Sequence, residues 1–224
     1  MEKVSLIFGS YVLLVTSVAQ AQFGYSTNAN GSVYAYNTNG DGSANIVAFF
    51  QGTPCDVAIP TNINNQTVTS IGDFAFTGTG VTSVTMPSVI LTIGHFAFGL
   101  CPNLTSAVIP GSITNIGSQA FTACANLKPL TVDPTNSFYS SVNGVLFDKA
   151  QATLIQYPGG LSGNYVIPSS VTIVQSNSFL GSSNIATVSI PGSVTNIGDY
   201  ALLATSLIAI TVDPENSFFS SRKR

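Results

Sequence analysis

Charged side chains are scarce in this chain of 224 residues. It has 6 Lys and Arg and 9 Asp and Glu, which together make 7% of the sequence, whereas an average soluble protein has about 25%. Proteins that bind nucleic acid need clustered Lys and Arg to neutralise phosphates, and the one basic cluster here is Arg222-Lys223-Arg224. We therefore expect no nucleic-acid partner. The apolar fraction of 45% also excludes a disordered polymer.

Histidine and cysteine are nearly absent, which removes most routes to catalysis and to zinc binding. His95 is the only histidine, so a Ser-His-Asp or Cys-His arrangement would have to include it. Nothing near His95 in sequence or in neighbouring repeats suggests an activated nucleophile. The three cysteines lack the close spacing and the histidine partners of a zinc site. The sequence therefore predicts no catalytic residue, no metal and no cofactor.

Long apolar runs are also missing, except for one at the N-terminus. Lys3 precedes an apolar segment from Val4 to Val18, and Ala19-Gln20-Ala21 has the small residues of a cleavage site. This segment is shorter than the roughly 20 residues that a membrane-spanning helix needs. We expect residues 1–21 to be a cleaved signal peptide, the mature chain to be secreted or held at the cell surface, and no stable membrane insertion after cleavage.

What the chain does have is a repeat, Ile-Gly-x-x-Ala-Phe. Its copies begin at Ile71, Ile93 and Ile116, in steps of 22 and 23 residues, and a weaker copy begins at Ile197. Units of this length are the coils of a solenoid, and they stack because one coil cannot bury its apolar face alone. We expect the aromatic residues of the repeat to form a column inside the solenoid. These are Phe76, Phe98, Phe121 and Phe179.

The glycine of the repeat predicts a special backbone site in each coil. Either a positive φ or a close approach of the neighbouring coil would require glycine there. The four glycines are Gly72, Gly94, Gly117 and Gly198. Two copies depart from the pattern, since Gln175 replaces the glycine in one and Leu202 replaces the phenylalanine in another. The Ile-Gly step is where the chain turns a corner of each coil, and these two corners depart from the repeat.

A second pattern precedes the Ile-Gly step and has apolar residues at its first, fourth and sixth positions. It predicts one strand per coil, and stacked coils then form a parallel sheet. The segments are 81–86, 104–109, 127–132, 185–190 and 207–212.

The outward side chains of these strands form a candidate binding surface, which we call the predicted strip. Its residues are Thr82, Ser83, Thr85, Thr105, Ser106, Val108, Lys128, Thr131, Thr187 and Ser189. They should lie in register as a nearly uncharged strip of hydroxyl and small apolar groups. Repeat proteins commonly bind extended partners on such a face. A Thr-rich exposed face is equally what any soluble parallel sheet requires, so both interpretations stay open.

The full repeat phrase identifies a family resemblance. Residues 109–124 read IPGSITNIGSQAFTAC, and this phrase resembles the BspA-type leucine-rich repeat family. The resemblance covers about residues 54–212. It implies a curved repeat solenoid with short parallel β-strands on the concave face and 3₁₀ or irregular turns on the convex face. It also implies a secreted or surface protein that binds other proteins or host components and has no catalytic residues.

The period is interrupted between residues 133 and 165. Asn143-Gly144 and residues 148–151 separate three strand-like segments, 139–142, 145–147 and 153–157, which predicts a β-hairpin insertion. Upstream, residues 22–52 should form a hairpin that caps the first coil. The solenoid should span residues 53–220.

A longer repeat lies over the short one. Residues 131–141 return in similar form at 211–221, and the copy stops in the basic tail 221–224. From this we expect the chain to be a truncated piece of a longer array, with a short native C-terminus as the alternative.

Cys101 and Cys124 share the same repeat position 23 residues apart. Neighbouring strands lie about 4.8 Å apart, which permits a disulfide. A role as small buried apolar residues is the alternative.

Two functions remain from the sequence. The first is a non-catalytic leucine-rich repeat protein that binds a protein or a surface polymer through its strands. The second is a structural spacer or matrix module that belonged to a larger surface protein or enzyme. An enzyme would need its catalytic groups in the 133–165 insertion, where Asp148 and Lys149 are the only candidates and both suit a turn.

Overall fold

The computed structural model describes residues 7–8, 11–12, 23–27, 31–50, 55–203 and 206–220. Within the predicted signal peptide it describes two short strands, β1 (Ile7–Phe8) and β2 (Tyr11–Val12), which pair antiparallel. The rest of that peptide and the basic tail lie outside the described residues, so both remain predictions.

The described residues form strands and turns, without a helix. In chain order, the strands that follow β2 are β3 (Gly24–Thr27), β4 (Val33–Thr38), β5 (Ala44–Phe50), β6 (Cys55–Ala58), β7 (Asn62–Ile63), β8 (Gln66–Ile71), β9 (Val81–Thr85), β10 (Thr92–Ile93), β11 (Ser106–Ile109) and β12 (Asn115–Ile116). The others are β13 (Leu130–Val132), β14 (Tyr139–Val142), β15 (Val145–Asp148), β16 (Thr153–Gln156), β17 (Gly163–Val166), β18 (Ile173–Val174), β19 (Ile185–Ile190), β20 (Asn196–Ile197) and β21 (Ala209–Val212).

Seven of these strands form two parallel sheets, which we call the front sheets. One has four strands in the order β13-β11-β9-β6, and the other has three in the order β17-β19-β21. The five strands predicted from the sequence are confirmed as β9, β11, β13, β19 and β21. Their side chains alternate as expected: Val84 is buried and Thr85 is exposed. The predicted parallel solenoid is thus confirmed.

Each coil also contributes a strand to a second set of parallel strands, which we call the back column. β5, β8, β10 and β12 pair in parallel, and so do β16, β18 and β20. The expectation of one strand per coil is therefore wrong, because each coil contributes a front strand and a back strand. Four of the back strands have only two residues, which is too short for an alternating pattern to be visible in the sequence.

Two antiparallel meanders start the two halves of the solenoid. β3, β4 and β5 form the first, and β14, β15 and β16 form the second. β14 and β15 are joined by Asn143 and Gly144, whose φ angles of 52° and 81° are both positive, as a two-residue type I′ hairpin requires. The predicted hairpin strands are confirmed. We call residues 24–132 the first module and residues 139–212 the second.

The predicted aromatic column fills the core of the first module. The rings of Phe76 and Phe98 are stacked with centroids 4.9 Å apart, and those of Phe98 and Phe121 are stacked at 5.4 Å. Phe49 from the first meander extends the column at 4.8 Å from Phe76. Phe179 belongs to the core of the second module, where it stacks on Tyr157 at 5.0 Å. Each module therefore has its own aromatic stack.

Buried polar side chains lie where the two aromatic stacks meet. The Thr122 hydroxyl donates to Gln156 Oε1 over 3.3 Å. Gln156 Nε2 donates to the carbonyl oxygens of Tyr157 and Ser178, at 3.0 and 3.1 Å. Buried polar groups must be hydrogen-bonded to be tolerated, and here the bond from Thr122 to Gln156 links the first module to the second.

The repeat glycines are explained by the close approach of neighbouring coils. A Cβ atom at Gly94 would lie 2.5 Å from Asp73 N, and a Cβ atom at Gly117 would lie 2.5 Å from the carbonyl carbon of Gly94. The alternative prediction, a positive φ, is not met at these glycines. Positive φ occurs two residues later instead. The residues concerned are Phe74, Phe96, Gln119, Asn177 and Tyr200.

The departure at Gln175 has the same explanation. Gly72 and Gln175 each lie in the first coil of a module. The neighbouring strand on one side belongs to a meander, and not to another coil with the same corner. A Cβ atom at Gly72 would lie 3.0 Å from Ile46 O, which leaves more room than at Gly94 or Gly117. A glycine is therefore required only where one corner stacks on another.

We expect Gly117→Ala to lower the free energy of unfolding by about 2–3 kcal/mol, because a methyl group there overlaps backbone that cannot move independently. Urea unfolding followed by circular dichroism measures this loss. Gly40→Ala is the matched control, since a Cβ atom at Gly40 meets no other atom within 4 Å. Equal midpoints for the two variants would show that the corner is not tightly packed.

Candidate binding surface

Six residues of the predicted strip lie on strands of the four-stranded front sheet, and two more, Thr105 and Lys128, lie just before β11 and β13. Ser83 lies opposite Ser106, and Val108 lies opposite Thr131. Thr85, Val108 and Thr131 are exposed, and Val108 exposes 53% of its surface. The expected outward row of hydroxyl and small apolar side chains is therefore present across these strands.

The other two residues, Thr187 and Ser189, lie on the three-stranded front sheet. There Thr187 is opposite Asn164, and Ser189 is opposite Val166. The expectation of a single strip in register is wrong, because the front strands form two separate sheets. The tip of the β14–β15 hairpin lies at the break, where Gly144 O accepts a hydrogen bond of 3.0 Å from Leu130 N.

Several hydroxyl groups of the strip are already hydrogen-bonded within it. The Thr82 and Ser83 hydroxyls both donate to Asp56 Oδ1 over 2.7 Å. The Thr105 hydroxyl donates to the backbone oxygen of Thr82 over 3.1 Å, and the Thr187 hydroxyl donates to Asn164 Oδ1 over 2.9 Å. These side chains are held in fixed positions, whereas Thr85 and Thr131 are exposed on the same face.

Asp56 belongs to this surface although it is not among the predicted residues. It lies on β6, opposite Ser83. Hydrogen bonds from Ser83 and Thr82 hold the pKa of its carboxyl below the ordinary value, so Asp56 is ionised at neutral pH. Lys128 lies just before β13, at the opposite edge of the same sheet. The four-stranded sheet therefore has an anionic edge and a cationic edge.

Two of the front strands, β6 and β17, were not predicted, although the sequence contains a signal for both. β6 leads into Ile59-Pro60 and β17 leads into Ile167-Pro168, as β11 leads into Ile109-Pro110. The first apolar residue of the pattern is absent in both strands, because each follows a meander rather than a full coil. An Ile-Pro pair preceded by alternating residues would have located them.

His95 has a neighbour that the sequence did not suggest. Its Nδ1 lies 2.7 Å from the Ser118 hydroxyl of the next coil. Asp73 Oδ1 accepts a hydrogen bond of 2.7 Å from the backbone N–H of His95. It therefore bonds to the main chain and does not orient the imidazole ring as the acid of a Ser-His-Asp arrangement does.

Cys101 and Cys124 are buried and carry free thiols. The Cys101 thiol donates to Phe76 O and the Cys124 thiol donates to Phe98 O, each over 3.0 Å. The hydrogen bond with Cys101 and burial together raise the pKa of Cys124. Both residues thus act as small buried side chains that satisfy carbonyl groups beside the aromatic column.

Two kinds of site are absent from the part of the chain that the structure describes. No group of three or more His, Cys, Asp or Glu side chains lies close enough there to hold a metal ion. No helix in that part is long and apolar enough to cross a membrane.

Comparison with protein families decides the identity of the fold. The model of the BspA type leucine-rich repeat region, in six copies, matches residues 54–162 and 161–222. The chain belongs to the BspA-type leucine-rich repeat family. This confirms the resemblance inferred from the repeat phrase. No curated protein sequence matches the chain.

Two solved structures have a similar fold. The pneumococcal vaccine antigen PcpA is similar over 84% of this chain and 69% of its own, with 20% identity and a TM-score of 0.51. A leucine-rich repeat protein of T. pallidum is similar over 77% of this chain and 81% of its own, with 21% identity and a TM-score of 0.50. At these identities the similarity concerns the architecture of the repeat.

Proposed function

We propose that this BspA-type repeat protein is exported, has no catalytic role, and binds a protein or a surface polymer through its four-stranded front sheet. The observation that carries the proposal is the row of outward side chains across that sheet. In order from one edge to the other, these are Ala58, Thr85, Val108 and Thr131, all exposed and all small.

The chemistry of this row suits an extended partner. Neighbouring strands lie about 4.8 Å apart, so a polymer that runs across the coils meets an equivalent side chain at each step. Small and uncharged side chains lose little hydration energy when they are covered. Asp56 and Lys128 at the two edges give the sheet a direction, which favours one orientation of a partner that carries charge at its ends.

Export is the part of the proposal that rests on the N-terminal sequence. The charged start, apolar run and small-residue cleavage site of residues 1–21 support it. The second candidate function, a structural spacer, is favoured by one observation: the two modules are joined by hydrogen bonds and apolar packing that need no partner. The two functions differ in one requirement: binding needs a front sheet that a partner can reach, whereas a spacer does not.

A double substitution on the front sheet tests the binding function. We expect Thr85→Lys with Thr131→Lys to reduce binding to an immobilised polymer by about tenfold or more, because two ammonium groups must then be dehydrated at the interface. The probes are gelatin, mucin and peptidoglycan on beads, and the retained fraction is measured.

The control for this test carries the same charges elsewhere. Thr67 and Thr114 are exposed and lie outside the front sheets, so Thr67→Lys with Thr114→Lys should leave retention unchanged. If both double variants bind as the parent does, or if the parent binds none of the three polymers, the front sheet is not the binding surface for these classes and the spacer function is favoured.

A further inference from the structure

The back column of the first module carries an outward row of polar side chains, which we call the polar row. In register across β5, β8, β10 and β12, its members are Asn45, Ser70, Thr92 and Asn115. Each of the first three is followed by an isoleucine that is buried in the core. Because neighbouring strands lie about 4.8 Å apart, the polar row presents an amide or a hydroxyl group at regular steps along the module.

A groove of about 360 Å³ lies along this row. Besides the polar row, Gly72, Gly94 and Asp73 line it. The two glycines have no side chain to fill it. Among the described residues of the lining, Asp73 is the one with a charged side chain. Sites for small ligands have volumes of about 300–1,000 Å³, so the groove has room for a small ligand.

Several polar groups of the groove have no partner within the protein. Asn45 Oδ1 is buried and accepts no hydrogen bond from any described residue, and a buried acceptor without a donor costs about 1–3 kcal/mol. The side chains of Thr92 and Asn115 also form no hydrogen bond within the described part of the chain. The Ser70 hydroxyl, in contrast, is held by Asn39 Nδ2 over 3.2 Å. A ligand with hydroxyl groups would supply the missing partners.

The lining of the groove favours a neutral and polar ligand. A phosphate or a carboxylate ligand needs a cationic side chain, and none lines the groove among the described residues. A metal ion needs more oxygen ligands than the single carboxylate of Asp73 supplies. An apolar ligand would remove water from the amides and hydroxyls of the polar row without replacing its hydrogen bonds. A molecule with many hydroxyl groups both donates and accepts, as these side chains do.

A cluster of aromatic rings lies beside the groove. Phe74 directly follows Asp73, and its side chain is exposed. The Phe74 ring centroid lies 5.8 Å from that of Phe96 and 5.3 Å from that of His95. The C–H groups on one face of a sugar ring pack well against the negatively polarised face of an aromatic ring. The exposed ring of Phe74 is therefore suited to stack on a sugar that also reaches the groove.

The backbone at Phe74 is strained. Its φ angle is 59°, a conformation that bulky residues rarely adopt and that costs about 1–3 kcal/mol. Since the ring is exposed, burial does not offset this cost. Residues held in such conformations cluster at functional sites, and a role in ligand binding accounts for an aromatic residue at this corner.

The second module provides an internal comparison. In its back column, Ile173 occupies the position that Ser70 has in the first module, and its side chain is exposed. Gln175 takes the place of Gly72, and Asn177 stands where the first module has the aromatic ring. This coil therefore differs from its counterpart in the polar row, in the glycine and in the aromatic residue. The groove is thus not a general property of the repeat.

We propose that the groove on the back column of the first module binds a neutral oligosaccharide. One sugar ring stacks on Phe74, and hydroxyl groups of the sugar bond to Asp73 and to the polar row. An anionic oligosaccharide is disfavoured, because the carboxylate of Asp73 repels it. The site lies on the back strands and not on the front sheet, so it does not depend on the function proposed for that sheet.

Isothermal titration calorimetry of the whole chain tests this proposal. The neutral probes are cellotriose, maltotriose and triacetylchitotriose, and trigalacturonate is the anionic probe. The parent should bind at least one neutral probe, and should bind it about tenfold or more tightly than trigalacturonate. A parent that binds none of the neutral probes, or that binds trigalacturonate as tightly as the best of them, overturns the proposal.

Two substitutions test whether the sugar occupies the groove. Ser70→Ile installs the residue type that the second module has at that position and fills the groove, and Phe74→Ala removes the stacking ring. Each should raise the dissociation constant about tenfold or more. Asn196→Ile, at an exposed position of the second back column, is the matched control and should bind like the parent. Unchanged affinity in either groove variant contradicts the proposal. Thr92→Val replaces Ser70→Ile if the latter loses the unfolding midpoint of the parent.

The front-sheet variant Thr85→Lys with Thr131→Lys separates this site from the proposed function. Both substitutions lie on front strands, so the variant should bind the trisaccharide like the parent even where it no longer retains a polymer. If it loses the trisaccharide, the sugar lies on the front sheet and the groove is not its site.

Discussion

Phe98→Ala should lower the free energy of unfolding by about 3–5 kcal/mol. The Phe98 side chain has no exposed surface, and its ring is stacked between those of Phe76 and Phe121. Removal of the ring leaves a cavity in the middle of the first module and interrupts the column there. Because each coil contacts only its neighbours, no distant part of the chain can fill this gap. Urea unfolding followed by circular dichroism measures the loss.

Phe74→Ala is the matched control for Phe98→Ala. Phe74 belongs to the same type of corner, but its side chain is 56% exposed, so its loss should stay near or below about 1 kcal/mol. A loss at Phe98 no larger than that at Phe74 would mean that the aromatic column does not hold the coils together.

Asn136→Ala should have the second largest effect, with a loss of about 3–4 kcal/mol. Asn136 is fully buried at the start of the second meander. Its Nδ2 donates to Pro110 O and Ile113 O, both at 2.9 Å. Its Oδ1 accepts from Phe138 N and Tyr139 N, both at 2.8 Å. Alanine would leave four backbone groups without these partners, and a buried backbone group without a partner is strongly unfavourable.

Asn216 provides an internal control for Asn136. Its Nδ2 donates to Pro191 O and Val194 O, and its Oδ1 accepts from Phe218 N and Phe219 N. Asn216 is 8% exposed, whereas Asn136 has no exposed surface, so water reaches the freed groups more easily and Asn216→Ala should lose less than half as much. The difference between the two unfolding free energies reports on the junction. Equal losses would show that the buried position of Asn136 contributes nothing beyond the hydrogen bonds themselves.

The sequence predicts the parts of the fold that recur with the period of the repeat. Phe76, Phe98 and Phe121 could be placed in one column because their spacing equals one coil, and stacking then follows from burial. The front strands β9, β11 and β13 could be placed because alternation over several residues is visible. The hairpin at Asn143-Gly144 could be placed because few residues accept positive φ at both positions.

The parts that the sequence does not predict depend on contacts across coils. Thr92 and Ile93 form a back strand only because Ser70 and Ile71 lie beside them, and two residues carry no periodic signal. The sequence suggests that the glycine of each corner has the positive φ, but in this corner Phe96 has it. Gly94 is required for a different reason, the close approach of the neighbouring coil.

The candidate surface shows the same division. The outward positions of Thr85 and Thr131 follow from alternation and are correct. The separation of Thr187 and Ser189 from them follows from the path of the β14–β15 hairpin, which ends at the edge of β13. The contact between His95 and Ser118 likewise joins two coils. Neither could be read from positions within a single repeat.

The two meanders have a consequence for how such chains evolve. The second meander closes the core of the first module and begins the core of the second, and Asn136 and Asn216 make equivalent hydrogen bonds. A tandem duplication of the segment from Asp133 to Val212 would therefore insert a complete unit between two joints that already fit. Proteins of this construction can grow or shrink by whole modules during evolution, without a new core having to arise at the seam.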